Sequence, residues 1–331
     1  METTQITSPK ASIFQSDALQ RILAFAGLIV LFIVFSLASP NFLTLSNVIG
    51  ILIATAVNGV LALGVTYVII TAGIDLSIGT VMTLSAVMTG VFITFWDLPV
   101  WLGVLAGVTT GALCGLANGV MISRMKLPPF IATLGMLNIA KGLALVISGL
   151  KPIYFNDDPV FNQISMGSVI GAVIPGFDIP NAVLILFGLA ILASLILNKT
   201  VLGRYTFALG SNEEAARLSG VNVAAWKTAI YTLCGAFAGI AGVIMAARLN
   251  SAQPSLGQGY ELDAIAAAVI GGTSLSGGEG TMLGTIIGAF VISTLTNGLR
   301  ILSVPQEWQT VVTGVIVVLA VYADIIRRRK S

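Results

Sequence analysis

Hydrophobic positions in this chain do not alternate with polar ones. They come in long, nearly unbroken runs separated by short polar or glycine-containing breaks. A helix rises about 1.5 Å per residue, so roughly 20 apolar residues cross the hydrocarbon of a bilayer. About ten segments meet that measure: 22–39, 47–72, 77–96, 100–122, 129–150, 181–197, 228–247, 262–278, 281–300 and 308–324. The eighth and ninth are interrupted around Gly277, Gly278 and Gly280. The first run follows a mostly polar stretch and exceeds the apolar core of a signal peptide, so it reads as a retained span. The expected fold class is an all-α membrane protein, a bundle of transmembrane helices.

Composition sharpens this expectation. Of 331 residues, 56% are hydrophobic and 9% charged, against about 25% charged in soluble domains. No Lys or Arg occurs from Ile22 to Ser123, so that stretch cannot coat a soluble surface. The net charge of +2 is spread over loop positions, which argues against a nucleic-acid partner. Only Arg327, Arg328, Arg329 and Lys330 cluster, as a cytoplasmic anchor does. Cys114 and Cys234 sit inside apolar runs and there is no histidine, so neither a disulfide framework nor a metal site is expected.

Charge also sets orientation, because short cytoplasmic loops are enriched in Lys and Arg. The basic groups are Lys10 with Arg21, Arg124 with Lys126, then Lys199, Arg204, Arg217 and Lys227, then the terminal cluster. An even number of apolar segments lies between each neighbouring pair, which places both termini in the cytoplasm. The loop 151–180 carries Asp157, Asp158 and Asp178 against a single Lys and suits the outer side. Its four prolines, Pro152, Pro159, Pro175 and Pro180, exclude a long helix but leave room for a short interfacial one near 165–172. The expected organisation is a cytoplasmic N-terminus 1–21, one transmembrane domain 22–324 with an inner loop 198–227, and a cytoplasmic tail 325–331.

Candidate chemistry is sparse. In the inner loop, Ser211, Asn212, Glu213 and Glu214 form a capping box in which Ser211 accepts from the Glu214 N–H. Ala215, Ala216, Arg217 and Leu218 continue the helix and Gly220 stops it. The product is a short amphipathic helix on the cytoplasmic face, or else a plain solvated connector. Intramembrane ionisable residues are functional candidates by default. Lys141 lies in the fifth segment and shares a helical face with Asn138 and Ser148, expected to point into the bundle; a snorkelling lysine is the alternative. Asp75 lies between the second and third segments and can cap the third or touch substrate. Glu261 and Asp263 hold the matching place before the eighth, while Asn118 and Asn297 end the fourth and ninth. The two sets predict an inverted repeat of segments 2–5 and 7–10. Gly235 with Gly239 and Gly284 with Gly288 give small faces for close helix packing. No G-x-x-x-x-G-K-[ST] occurs, so the chain itself carries no P-loop for ATP.

Several stretches together resemble a known family. They are Gly73-Ile74-Asp75-Leu76-Ser77-Ile78-Gly79, Pro129-Phe130-Ile131-Ala132-Thr133-Leu134-Gly135-Met136, Leu202-Gly203-Arg204-Tyr205, Ala208-Leu209-Gly210-Ser211-Asn212, Arg217-Leu218-Ser219-Gly220-Val221-Asn222, Ser251-Ala252-Gln253-Pro254, and Gly259-Tyr260-Glu261-Leu262-Asp263-Ala264-Ile265-Ala266. From about residue 38 onward the chain resembles the permease subunit of bacterial monosaccharide ABC importers, with ribose as the expected cargo. The resemblance implies a non-enzymatic, inner-membrane homodimer that binds no cofactor of its own. ATP and Mg would sit on a partner ATPase, and a periplasmic sugar-binding protein would deliver the sugar. It also implies that the segment Gly210, Ser211, Asn212, Glu213, Glu214, Ala215, Ala216, Arg217, Ser219 and Gly220 docks on that ATPase. Lys141 departs from the family's expected Arg, so a role there rests on charge rather than on a bidentate fork. Polarity and burial nominate Asp75, Asn118, Asn138, Lys141 and Asn297 for the sugar path. The rival reading is an ion-coupled transporter working alone, with Asp75 as its titrating group; an intramembrane enzyme lacks a convincing nucleophile or acid–base pair.

Overall fold

A computed structural model describes residues 17–329 apart from 156–158, 175 and 177, without the side chains of 17–21, 159, 320 and 323–329. Lys10, Asp157, Asp158, Pro175, Lys330 and the side chains of Arg21, Arg327, Arg328 and Arg329 therefore lie outside the described residues. The helices are α1 Asp17–Ala38, α2 Leu45–Ile70, α3 Ile78–Gly90 with a π-helical continuation Val91–Phe95, α4 Val100–Ser123, α5 Pro129–Ile147, α6 Pro159–Met166 and α7 Val169–Val173. They continue with α8 Asn181–Lys199, α9 Val201–Ser211, α10 Glu213–Leu218, α11 Val223–Leu249, α12 Tyr260–Ile270, α13 Met282–Ile301 and α14 Gln306–Arg329. Two short strands, β1 Ile153–Tyr154 and β2 Ser251–Ala252, pair antiparallel, Ile153 opposite Ala252.

Among the described residues, seven helices are long and apolar enough to cross a membrane: α2, α3 with its π turn, α4, α5, α8, α11 and α13. Ile22–Ala38 is a shorter apolar helix. The eighth expected segment, 262–278, is not one crossing. Its helix ends at Ile270 because Gly272, Gly277 and Gly278 take positive φ values of 97°, 84° and 76°, which glycine adopts without steric cost. Eleven residues rise only about 16 Å, roughly half the hydrocarbon thickness. The C-terminal helix runs to Arg329, past the expected end of the last span.

Helix packing follows the small residues. α4 crosses α11 where a Cβ built on Gly111 would lie 2.3 Å from the Gly235 carbonyl and one on Gly235 2.2 Å from the Gly111 carbonyl. The same close packing joins α12 to α13, where Gly288 sits against the Ala267 carbonyl and Gly284 against that of Gly271. Both glycine pairs singled out in the sequence thus serve close packing. Helix neighbours recur in two sets: α4 packs on α11 and α13 on α2, α3 on α11 and α12 on α2, α3 on α4 and α12 on α13, α3 on α5 and α12 on α14.

Inside, α2 is buried from Thr55 to Ile70 and forms the centre of the core. Thr66 and Thr285 bridge it to α13 through their hydroxyls at 2.8 Å, and the Tyr67 hydroxyl donates to the Ala193 carbonyl of α8. Many of these helices put large apolar side chains outward, among them Trp101, Leu113, Val146, Ile191 and Leu283. A soluble protein would not tolerate that surface, but lipid does.

Candidate functional site

The chain between α2 and α3 returns into the core rather than looping through solvent. Asp75, Ser77 and Asn118 are 1%, 1% and 0% exposed. Asp75 Oδ1 accepts from the Ser77 N–H at 2.9 Å and the Ser77 hydroxyl at 2.6 Å. The Asn118 amide donates to Ser77 Oγ at 2.9 Å and more weakly to Asp75 Oδ2 at 3.4 Å. Asp75 thus closes the turn entering α3, with Ser77 in the flanking N-cap position. Tyr231 of α11 donates its hydroxyl to the Ile74 carbonyl and ties the turn to the neighbouring helix.

The start of α3 meets the start of α12. A Cβ on Gly79 would lie 2.2 Å from the Gly257 carbonyl and 2.4 Å from Glu261 Oε2, and one on Gly257 2.0 Å from the Gly79 carbonyl. Glu261, 7% exposed, accepts from the Gly259 N–H with both carboxylate oxygens at 3.1 Å. Two helix N-termini with their positive dipole ends therefore converge, each with an acidic side chain beside it. Gly257 and Gln258 are not among the sequence candidates, because nothing local marks a contact between segments so far apart in the chain.

The other nominated residues fall in different places. Lys141 reaches across from α5 and donates to Gln258 Oε1 at 3.0 Å. Asn138 does not face the bundle as expected; it is exposed and satisfies its amide on the Leu134 carbonyl. The buried face of α5 is instead the row Ala132, Met136, Ala140 and Ala144, spaced by four, whose three alanines allow close packing. Ser148, on the expected face, is buried. Asn297 donates to Asn47 Oδ1 at 2.9 Å, and among the described residues no hydrogen bond joins it to Asp263. The analogy between the two Asp–Asn sets holds only for Asp75 and Asn118.

In the loop 198–227 two helices, α9 and α10, form where one was expected. The cap differs from the predicted box: Ser211 is the last residue of α9, and Asn212, with φ −163°, accepts from the Ala215 N–H at 2.9 Å. The cap falls on Asn212 because only an extended residue between two helices can turn its side chain onto the next N–H groups. Glu214 does not reach back but pairs with Arg217, and Glu213 pairs with Lys227. The Arg217 hydrogen bond, and then its charge, hold the Glu214 carboxyl below the usual carboxylate range. Ala216 is the one buried residue of α10, and Leu218 is 78% exposed. Gly210 touches the core: its Cβ would lie 1.7 Å from the Ile70 carbonyl, which accepts from the Gly278 N–H at 2.8 Å.

Among the described residues no cluster of His, Cys, Asp and Glu could hold a metal. Residues 47–321 match the family model for the permease component of branched-chain amino acid transport systems. The ribose import permease of Bacillus subtilis is 41% identical over 100% of both chains. The fructose import permease of Rhizobium meliloti is 38% identical over 83% of this chain and 76% of its own. The xylose transport permease of Haemophilus influenzae is 32% identical over 96% and 99%. No solved structure matches the chain.

Proposed function

The chain belongs to this family of multi-pass transport permeases, and on that premise we propose that it is the transmembrane subunit of an ATP-driven importer for a monosaccharide, with ribose as the first candidate. The family description names branched-chain amino acids, whereas relatives aligned over nearly the whole chain are named for ribose, fructose and xylose. Alignment over the full length weighs more for cargo than a shared family model. Hydrolysis belongs to a partner ATPase, because the chain lacks a P-loop.

One observation carries the coupling: Gly210 packs on the carbonyl that ends α2, beside Gly278 of the α12–α13 turn. An ATPase bound to the exposed α10 would push through backbone, not through flexible side chains, on both breaks in the bundle. Exposed Leu218 flanked by Glu214 and Arg217 suits such a docking surface. Exposed Asn138 in a membrane helix favours a second copy of the chain, or the sugar path, against α5. The recurring helix neighbours support an inverted repeat of α2–α5 and α11–α14. With α1 and α8 this gives ten membrane-embedded elements, both termini cytoplasmic and an inner-membrane location. An ion-coupled transporter working alone gains no support, since Asp75 is enclosed and bonded to Ser77 and Asn118.

The test is sugar uptake into proteoliposomes holding this chain, its ATPase and its binding protein. Uptake should require ATP and be abolished when Glu213, Glu214 and Arg217 are all replaced by Ala. Transport without ATP, or unaffected by that replacement, would sink the proposal.

A further inference from the structure

Two adjoining cavities beside α12 share Tyr260, Asp263, Thr296 and Arg300 in their walls. The smaller, about 200 Å³, is bounded by Asn58 of α2, Arg248 of α11 and Asn297 of α13. The larger, about 580 Å³, is closed by the first turns of α14 and lies in the size range of small-molecule sites, about 300–1,000 Å³. Along α14, Gln306, Gln309, Thr310 and Thr313 line it at helical spacing, on a helix whose following turns are mainly valine. The polar stripe of that helix therefore faces the chamber.

The chemistry of the walls is mixed in a specific way. Asn58 Oδ1, Asn297 Oδ1 and Gln309 Oε1 are buried acceptors with no donor among the described residues. Asn58 is 5% and Gln309 6% exposed. A buried acceptor left without a donor is unfavourable, and all three belong to residues that line the chamber. Arg248 and Arg300 add donors and Asp263 adds an acceptor, and none of the three forms a salt bridge among the described residues. An anion in the chamber would meet Asp263 and the carbonyl oxygens, and a cation would meet two guanidinium groups. A neutral polyhydroxylated molecule, each of whose hydroxyls both donates and accepts, satisfies all of them. The ring of Tyr260 offers an apolar face for its C–H side.

The geometry points to this chamber as the site where a monosaccharide pauses on its way through the protein, an assignment that rests on the proposed transport function. It is separate from the Asp75–Asn118 network, whose donors are already committed to one another.

The experiment measures uptake of radiolabelled D-ribose, with D-xylose and D-fructose as further probes, by the complete importer. Variants are Gln309→Leu, Asp263→Asn and Thr310→Val, with Leu192→Ala, 49% exposed on α8, as the outward-facing control. Uptake per transporter should fall at least ten-fold in the first two, and the apparent KM should rise several-fold in Thr310→Val, while the control stays at wild type. Thr310 is exposed, so its substitution tests the chamber even where Gln309→Leu fails to accumulate. Wild-type uptake with undiminished rates in Gln309→Leu and Asp263→Asn, or an unchanged KM in Thr310→Val, overturns the chamber and leaves the transport function standing. No uptake of any of the three sugars by the wild type overturns the function itself.

Discussion

Gly210 of the inner loop sits so close to Ile70, the last residue of α2, that any side chain at 210 would collide with the Ile70 carbonyl. That carbonyl also receives the Gly278 N–H, so three segments meet at one oxygen. Gly210→Ala must push the loop away from the helix end. Overpacking of this kind costs roughly 1–3 kcal/mol, so ATP-driven uptake is expected to fall on the order of ten-fold. Wild-type uptake in that variant would show that the contact transmits nothing.

Asn118→Leu removes the amide that bonds Ser77 and Asp75. A buried polar partner lost in this way costs about 1–3 kcal/mol, and the loss should appear as a lower melting temperature of the detergent-solubilised protein. Asn118→Leu combined with Asp75→Leu should recover part of the loss, because no buried carboxylate is then left short of donors. A double variant less stable than the sum of the singles would refute this account.

Gly235→Leu places a branched side chain where α4 and α11 touch backbone to backbone. The helices must separate, and the protein should lose most of its folded yield in the membrane. Gly188→Leu on α8, where nothing lies within 4 Å, is the comparison and should accumulate normally. Equal yields for the two would contradict the packing described.

Arg217 holds Glu214 ionised below its ordinary titration range. The sign follows from that lowered value. The pairing is present at all pH above the usual carboxylate range and is lost only as pH falls through the depressed value. Uptake should therefore not change between about pH 6 and 8 on account of this pair. Because both partners are exposed, raised salt should weaken the charge pattern that α10 presents. A titration of coupling near neutral pH that disappears in Glu214→Gln would be the contrary result.

Much of the architecture was readable along the chain. Runs such as Leu45–Ile70 and Val223–Leu249 declared themselves by length and apolar content, and Gly235 with Gly239 announced a close crossing without naming its partner. The short helix after residue 211 is also legible in the sequence, but its cap falls on Asn212, one residue beyond Ser211. Ser211 and Asn212 are both good caps, and the choice between them depends on where α9 ends. The polarity of Asn138 predicts an inward face, but the small residues Ala132, Ala140 and Ala144 decide which face packs.

The sequence by itself determined that this is a membrane-embedded helical protein, because hydropathy accumulates residue by residue and needs no knowledge of neighbours. Only the tertiary structure decided that α12 stops halfway, that its start meets the start of α3 through Gly257 and Gly79, and that Gly210 bears on Ile70. Those are contacts between backbone groups far apart in the chain. A glycine in the sequence permits a close approach, but which atom approaches is set by how the whole bundle packs.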